Sequence, residues 1–185
     1  MPGAQLNLAV VHQNTGRLDL AEQHYLQALK IDPDFTPARA NLAQFYSSTA
    51  RNPEAERVLT EGLKRVPTIG ELQYSLGLVL AADGRIDEAA AALAKAAKLL
   101  PERARVHYNL GLALQQLGRR QPAEAASLRA QKLDTGDPAI CYALAIFYAQ
   151  GLQNSQALRW AEKLLALDPA NTRASQLVSE LRSRQ

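Results

Sequence analysis

The sequence predicts an all-α chain of stacked helix hairpins. Three observations carry that prediction: a 34-residue period, 3.6-residue apolar spacing within it, and abundant alanine and leucine. The period is decisive, because self-similarity at about 20–50 residues marks a repeat architecture. Pro33, Pro67, Pro101 and Pro169 are separated by multiples of 34, with Thr135 in the vacant register. Leu8, Leu42, Leu76, Leu110 and Leu144 keep the same spacing, beside Ala9, Ala43, Gly77, Gly111 and Ala145. Ala21, Ala55, Ala89, Ala123 and Ala157 form another column. A further one holds Ala28, Gly62, Ala96 and Ala130, where Leu164 breaks the series.

Each period divides into two helical runs. In the third, Leu72, Leu76, Val79 and Leu80 share one face and stop before Gly84. Ile86, Ala89, Ala90, Leu93, Ala96, Ala97 and Leu100 form the second face and stop at Pro101. Gly16, Gly84 and Gly118 fall in the turns, where a left-handed backbone costs glycine little. Small residues such as Gly77 and Ala89 let paired helices approach closely. Proline ends each second helix, because it lacks an amide hydrogen and restricts its predecessor. Thr36-Pro37, Asn52-Pro53 and Asp137-Pro138 each predict a capping oxygen ahead of a first-turn proline. Gly136 is expected to replace proline as the breaker in the fourth period. The reading is one domain, 1–185, with repeats at about 2–35, 36–69, 70–103, 104–137 and 138–171. Leu177, Val178 and Leu181 then give 172–185 the face of a capping helix.

These columns resemble the tetratricopeptide repeat (TPR) family, whose unit is a 34-residue antiparallel helix pair. The resemblance covers residues 2 to about 171, with departures at Thr135 and Leu164. It implies a right-handed superhelical solenoid whose first helices line an inner groove, opposite the leucine stripe at 8, 42, 76, 110 and 144. On that implied groove lie Leu6, Ala40, Tyr74, Tyr108 and Tyr142, beside Asn7, Asn41, Ser75, Asn109 and Ala143. One turn further come Val10, Gln44, Leu78, Leu112 and Ile146, followed by Gln13, Ser47 and Gln115 and by Asn14, Ser48, Gln116 and Gln150. Tyrosines supply rigid amphipathic area, and carboxamides both donate and accept hydrogen bonds. The alternative for the tyrosines is packing on the adjacent helix, and for the asparagines an ordinary solvated face. Glu71 and Arg105 are the charges near the helix starts. The family's function is protein binding, so the expected partner is a peptide or protein segment with apolar anchors. Family members that clamp the acidic tail of heat-shock chaperones line the groove with cations. Leu6, Val10, Glu71, Tyr74 and Ser75 stand in those columns here, and only Asn41 fits, so no carboxylate-clamp binding is expected.

Other chemistries find little support. The 21 basic and 18 acidic residues are dispersed, which argues against a nucleic-acid footprint. One cysteine, Cys141, excludes an internal disulfide framework and a cysteine zinc cluster, and on a face expected to meet the second helix it reads as a buried, inert thiol. His12, His24 and His107 lack metal-ligand spacing on one helix. His12 and His24 lie on partner helices and can approach, but a third ligand is missing. His12 shares a column with Tyr46, Leu80, Leu114 and Tyr148, which favours packing. Trp160 is expected against the capping helix or the convex surface. No catalytic constellation, metal site or cofactor motif emerges, so the chain reads as a non-enzyme. No apolar run reaches the roughly 20 residues that span a bilayer, and membrane insertion is not expected. Met-Pro-Gly-Ala-Gln has no basic-then-apolar pattern; the compartment stays open.

The first hairpin is apolar at Leu6, Leu8, Val10 and Val11, whereas terminal repeats ordinarily present a polar face. Two expectations follow. Either further chain precedes this one, or the hairpin self-associates with another copy. An alternative function is a C-terminal docking or regulatory appendage of a larger, bacterial-type enzyme or cytochrome.

Overall fold

A computed structural model of the chain describes residues 1–184, among which there are eleven helices and no strand. The first helices of the hairpins are α1 (Pro2–Asn14), α3 (Thr36–Ser48), α5 (Gly70–Ala82), α7 (Ala104–Gln116) and α9 (Pro138–Gln150), each of 13 residues. The second helices are α2 (Leu18–Ile31), α4 (Asn52–Arg65), α6 (Ile86–Leu99), α8 (Arg120–Leu133) and α10 (Asn154–Leu167), each of 14. A last helix, α11 (Thr172–Arg182), begins 34 residues after α9. Residue 185, the end of the expected capping segment, lies outside the described residues. The chain is all-α, built from antiparallel hairpins. Two compact units, Met1–Pro101 and Glu102–Gln185, divide it.

In the first unit the buried faces of α3 and α5 follow helical spacing, whereas α1 buries only Ala9. Ala38, Leu42 and Phe45 of α3 are enclosed, as are Leu72 and Val79 of α5. Leu42, Phe45, Leu72 and Val79 pack with Tyr25 of α2 and Val58 and Leu59 of α4 into one core. Full burial of each of these larger side chains contributes about 1.5–3 kcal/mol before entropy is counted. The small columns work as predicted. A Cβ at Gly77 would lie 2.6 Å from Leu93 Cγ, and Ala89 is wholly buried. Gly62 makes room for a buried arginine: Arg39 lies against it, its Nη1 donating to Val58 O at 2.7 Å and its Nη2 to Pro33 O at 2.6 Å. Two ion pairs span successive hairpins at a 29-residue offset, Arg51 to Glu22 at 2.7 Å and Arg85 to Glu56 at 2.5 Å. The Arg51 guanidinium, aided by the Tyr46 hydroxyl, holds the Glu22 carboxyl below the usual carboxylate range.

In the second unit Ile140, Leu144 and Phe147 of α9 meet Val178 and Leu181 of α11 across Ala157 and Ala161 of α10. Leu164, the break in the small column, does not disturb α10. It is buried with Cys141 against Ala174 of α11, and Trp160 packs on the same cluster. The last helix therefore covers the hairpin before it.

Several local expectations are corrected. Thr36 and Asn52 are not N-caps but the first residues of their helices, after Phe35 and Arg51, and no side-chain cap bond forms there. Thr36 Oγ1 instead donates to Asp34 O at 3.4 Å, and Asn52 Oδ1 accepts from Ser47 Oγ at 3.0 Å. Asp137 is a true cap, accepting from the Ala139 amide at 2.8 Å. Gly136 is not the breaker of α8. Asp134 at φ −134° ends that helix, as Asp32, Val66, Leu100 and Asp168 end theirs at −126° to −139°. The extended residue recurs with or without a following proline. Leu8 is 43% exposed and Leu76 and Leu110 are only half-buried, so the leucine stripe is continuous in sequence but not in burial.

The turn between paired helices has a left-handed residue at every period. Gly16, Gly84 and Gly118 supply it as expected, at φ 73°, 76° and 69°. Ala50 and Leu152 supply it elsewhere, at φ 59° and 57°, though a Cβ disfavours that region by roughly 1–2 kcal/mol. Leu152 is 84% exposed, so its side chain returns little packing. Leu152→Gly is expected to raise the unfolding free energy by about 1 kcal/mol, read as a higher urea midpoint at unchanged slope. A lower midpoint would mean that the turn owes nothing to the strain.

Candidate functional site

The second unit holds an uncharged cleft on the side formed by its first helices. There α7 and α9 pack side by side. Tyr108, Leu112, Gln115 and Gln116 of α7 face Tyr142, Ala143, Ile146 and Gln150 of α9 around a cleft of about 450 Å³. These positions recur because 3.6-residue spacing puts i, i+4, i+7 and i+8 on one helix face. Gln115 Nε2 donates to Gln150 Oε1 at 2.8 Å, which leaves each amide one further group for a ligand. Tyr142 is 38% exposed and lies between two clefts. On its other side Pro138, Ala139, Leu164, Asn171 and Arg173 line a smaller one of about 210 Å³.

Arg105 does not bring free charge to this face. Its Nη2 lies 3.0 Å from the Asp137 carboxylate, and its guanidinium carbon 5.3 Å from the Tyr108 ring centroid. Asp137 also caps α9, so one carboxylate fixes both the helix start and the arginine. Only the opposite charges at the starts of adjacent first helices hint at that pairing in the sequence. Burial pushes the Tyr108 hydroxyl above its ordinary value, so it stays protonated and able to donate at neutral pH.

The first unit carries the other predicted residues. Its first helices α1, α3 and α5 pack in succession. Asn7 and Gln44 are exposed, and Leu78 is 38% exposed. Asn41 is half-buried, with Nδ2 spent on Pro37 O at 2.8 Å. Asn109 of the second unit is half-buried as well. The tyrosines differ among themselves. Tyr74 is only 9% exposed, Tyr108 is intermediate, and Tyr142 is open. Equal spacing in sequence did not produce equal access.

The other candidates are placed in turn. His12 and His24 do approach, with ring centroids 5.1 Å apart. Among the described residues no group of three or more His, Cys, Asp and Glu could hold a metal ion. Cys141 is buried, and burial pushes its thiol up, away from the reactive thiolate. Among the described residues no helix is long and apolar enough to cross a membrane.

Comparison with known proteins agrees with the hairpin geometry. Sequence profiles described as tetratricopeptide repeat match residues 15–74 and 104–137, and one described as TPR repeat matches 77–118. The chain belongs to the tetratricopeptide repeat family. Among solved structures, this TPR protein is similar to Pseudomonas aeruginosa PilF, with a TM-score of 0.85 and 23% identity over 98% of this chain and 83% of that one. PilW, described as a widely conserved type IV pilus biogenesis factor, gives 0.82 at 20% identity over 99% and 91%. YrrB, described as a TPR protein with an unusual peptide-binding site, gives 0.75 at 22% identity over 93% and 89%. At such identities the likeness establishes the fold alone. None of the curated protein sequences compared matches the chain.

Proposed function

We propose that this TPR protein is a scaffold that holds a partner segment on the face of its first helices, with apolar side chains of the partner as anchors. The carrying observation is the uncharged α7–α9 cleft, in which an accessible tyrosine, accessible leucine and carboxamides converge. Exposed aromatic and aliphatic groups gain by desolvation, and tyrosine is favoured at recognition hot spots. The amides Gln115, Gln116 and Gln150 are suited to a peptide backbone, which needs both donors and acceptors. Asn7, Asn41, Gln44 and Leu78 offer a similar surface in the first unit, and Ile146 and Leu112 floor the cleft in the second. With Arg105 neutralised by Asp137, nothing in the cleft calls for an acidic tail.

Selection from a displayed random peptide library on the purified protein tests this. Binders are expected to share aliphatic or aromatic anchors and to lack acidic clusters. Tyr142→Ala with Leu112→Ala should weaken them at least about tenfold, as for hot-spot loss of over 1 kcal/mol. Binders unaffected by that pair, or uniformly acidic ones, would defeat the reading.

One observation favours a second reading, self-association through the first hairpin. Leu8 and Val11 of α1 are 43% and 54% exposed, whereas Leu42 and Phe45, one period later, are buried. Among Pro2–Asn14 no side chain is acidic, and the one basic group is His12, so two copies of that face would meet without repulsion. Sedimentation over a dilution series distinguishes a dimer abolished by Leu8→Glu from a constant monomer.

A further inference from the structure

The first hairpin contains a pair of titratable rings that the binding face does not use. His12 of α1 and His24 of α2 are stacked, with centroids 5.1 Å apart and planes 9° from parallel. His24 Nδ1 lies 2.6 Å from Gln5 Oε1. An amide oxygen only accepts, so that nitrogen is the donor and the tautomer is fixed. His12 Nδ1 is enclosed and has no hydrogen-bond partner.

The surroundings offer a second proton no compensation. α1 packs on α2 and α3. Beside His24, α2 carries the titratable groups Asp19, Glu22, Tyr25 and Lys30. Tyr25 donates to Gln13 Oε1 at 2.6 Å, and Glu22 is occupied by Arg51 and by the Tyr46 hydroxyl. In the α1–α2 turn stands Arg17, a cation that acts on His12 directly. On α3, Tyr46 is turned to Glu22, and Arg39 to the Val58 and Pro33 carbonyls. No carboxylate hydrogen-bonds either imidazole among the described residues.

We propose that the stacked His12–His24 pair is an acid-sensitive clasp of the first hairpin: uncharged, it holds α1 against α2, and protonation releases α1. Two imidazolium rings at this separation repel each other and Arg17. Protonated His12 would also carry an enclosed N–H without an acceptor. Burial, Arg17 and His24 accordingly hold His12 below its ordinary value. The sign follows from linkage. The opened hairpin takes up the proton more readily than the closed one, so the clasp is intact above about pH 6.5 and weakens as pH falls below it. Release would withdraw Asn7 from the first-helix face, although the clasp itself does not depend on that face binding anything.

Amide hydrogen exchange of the whole chain at pH 7.5 and 5.0, corrected for the intrinsic exchange rate, reads the device. In the unsubstituted protein, protection over α1 is expected to fall several-fold at pH 5.0 relative to α3 and α4. His12→Leu, which installs the side-chain type of positions 80 and 114, should keep α1 protected at both values. Imidazole carbon–proton NMR of the unsubstituted protein supplies a readout independent of any variant. The His12 resonance is expected to titrate below the ordinary histidine range. Protection of α1 that does not respond to pH, an equal response in His12→Leu, or a His12 titration at the ordinary value would each overturn the proposal.

Discussion

Tyr74→Ala is expected to destabilise the protein by about 3 kcal/mol, whereas Tyr142→Ala should cost about 1 kcal/mol. The two residues are 68 positions apart, two full periods, and the sequence gives no reason to separate them. Burial separates them. Tyr74 is enclosed in the first unit, so truncation there removes packed ring surface and leaves a cavity. Tyr142, 38% exposed, lies between two clefts, and its loss removes less packed surface. Urea unfolding of each variant measures the difference, and selected peptides measure the reverse order for binding, with Tyr142→Ala the damaging change. Similar stabilities for the two variants would mean that both rings are packed, or neither. Replacing all three tyrosines together would therefore mix a folding defect with a binding defect, and the single variants are the cleaner instrument.

Gly77→Leu is the second large effect. A single methyl there would lie 2.6 Å from Leu93 Cγ and 3.3 Å from the Ala89 carbonyl oxygen. The α5–α6 pair cannot admit a side chain without parting, and overpacking of this kind costs about 1–3 kcal/mol. Backbone approach, not flexibility, fixes this glycine, since Gly77 has ordinary helical backbone and is absent from the residues with positive φ. The control is Gly3→Ala on α1, where an added Cβ meets nothing within 4 Å. Thermal melting should separate the two clearly. A wild-type melting point for Gly77→Leu would mean that the hairpin opens at little cost.

The fold was legible because its determinants are local and repeated. Leucine and alanine columns name the buried faces, and a 34-residue period locates every helix start. Departures occur where a general rule met a particular neighbour. Thr36 and Asn52 have capping chemistry, but the helices begin one residue earlier than capping requires. At Leu152 the sequence places glycine at 151, one position short of the left-handed site, so leucine takes the strain. The site was legible as columns but not as depths. Spacing put Leu112, Ile146, Gln115 and Gln150 on one face, yet exposure depends on which helix lies alongside. That is why Tyr74 and Tyr142 diverge, and why the bond between Arg105 and Asp137 was invisible beforehand.

Uniform helix lengths suggest that hairpins could be exchanged like beads, by recombination or by design, with no loop to adjust. Arg39 and Gly62 set a limit to that freedom. The guanidinium of one helix occupies the space that a methyl would take on the next, while the neighbouring periods carry Ala28 and Ala96 in that column. A second hairpin moved intact should keep its core. One spliced between α3 and α4 would bring an arginine against an alanine, or leave a glycine facing a void. Crossovers in a lineage of such repeats should therefore fall between hairpins rather than within this one.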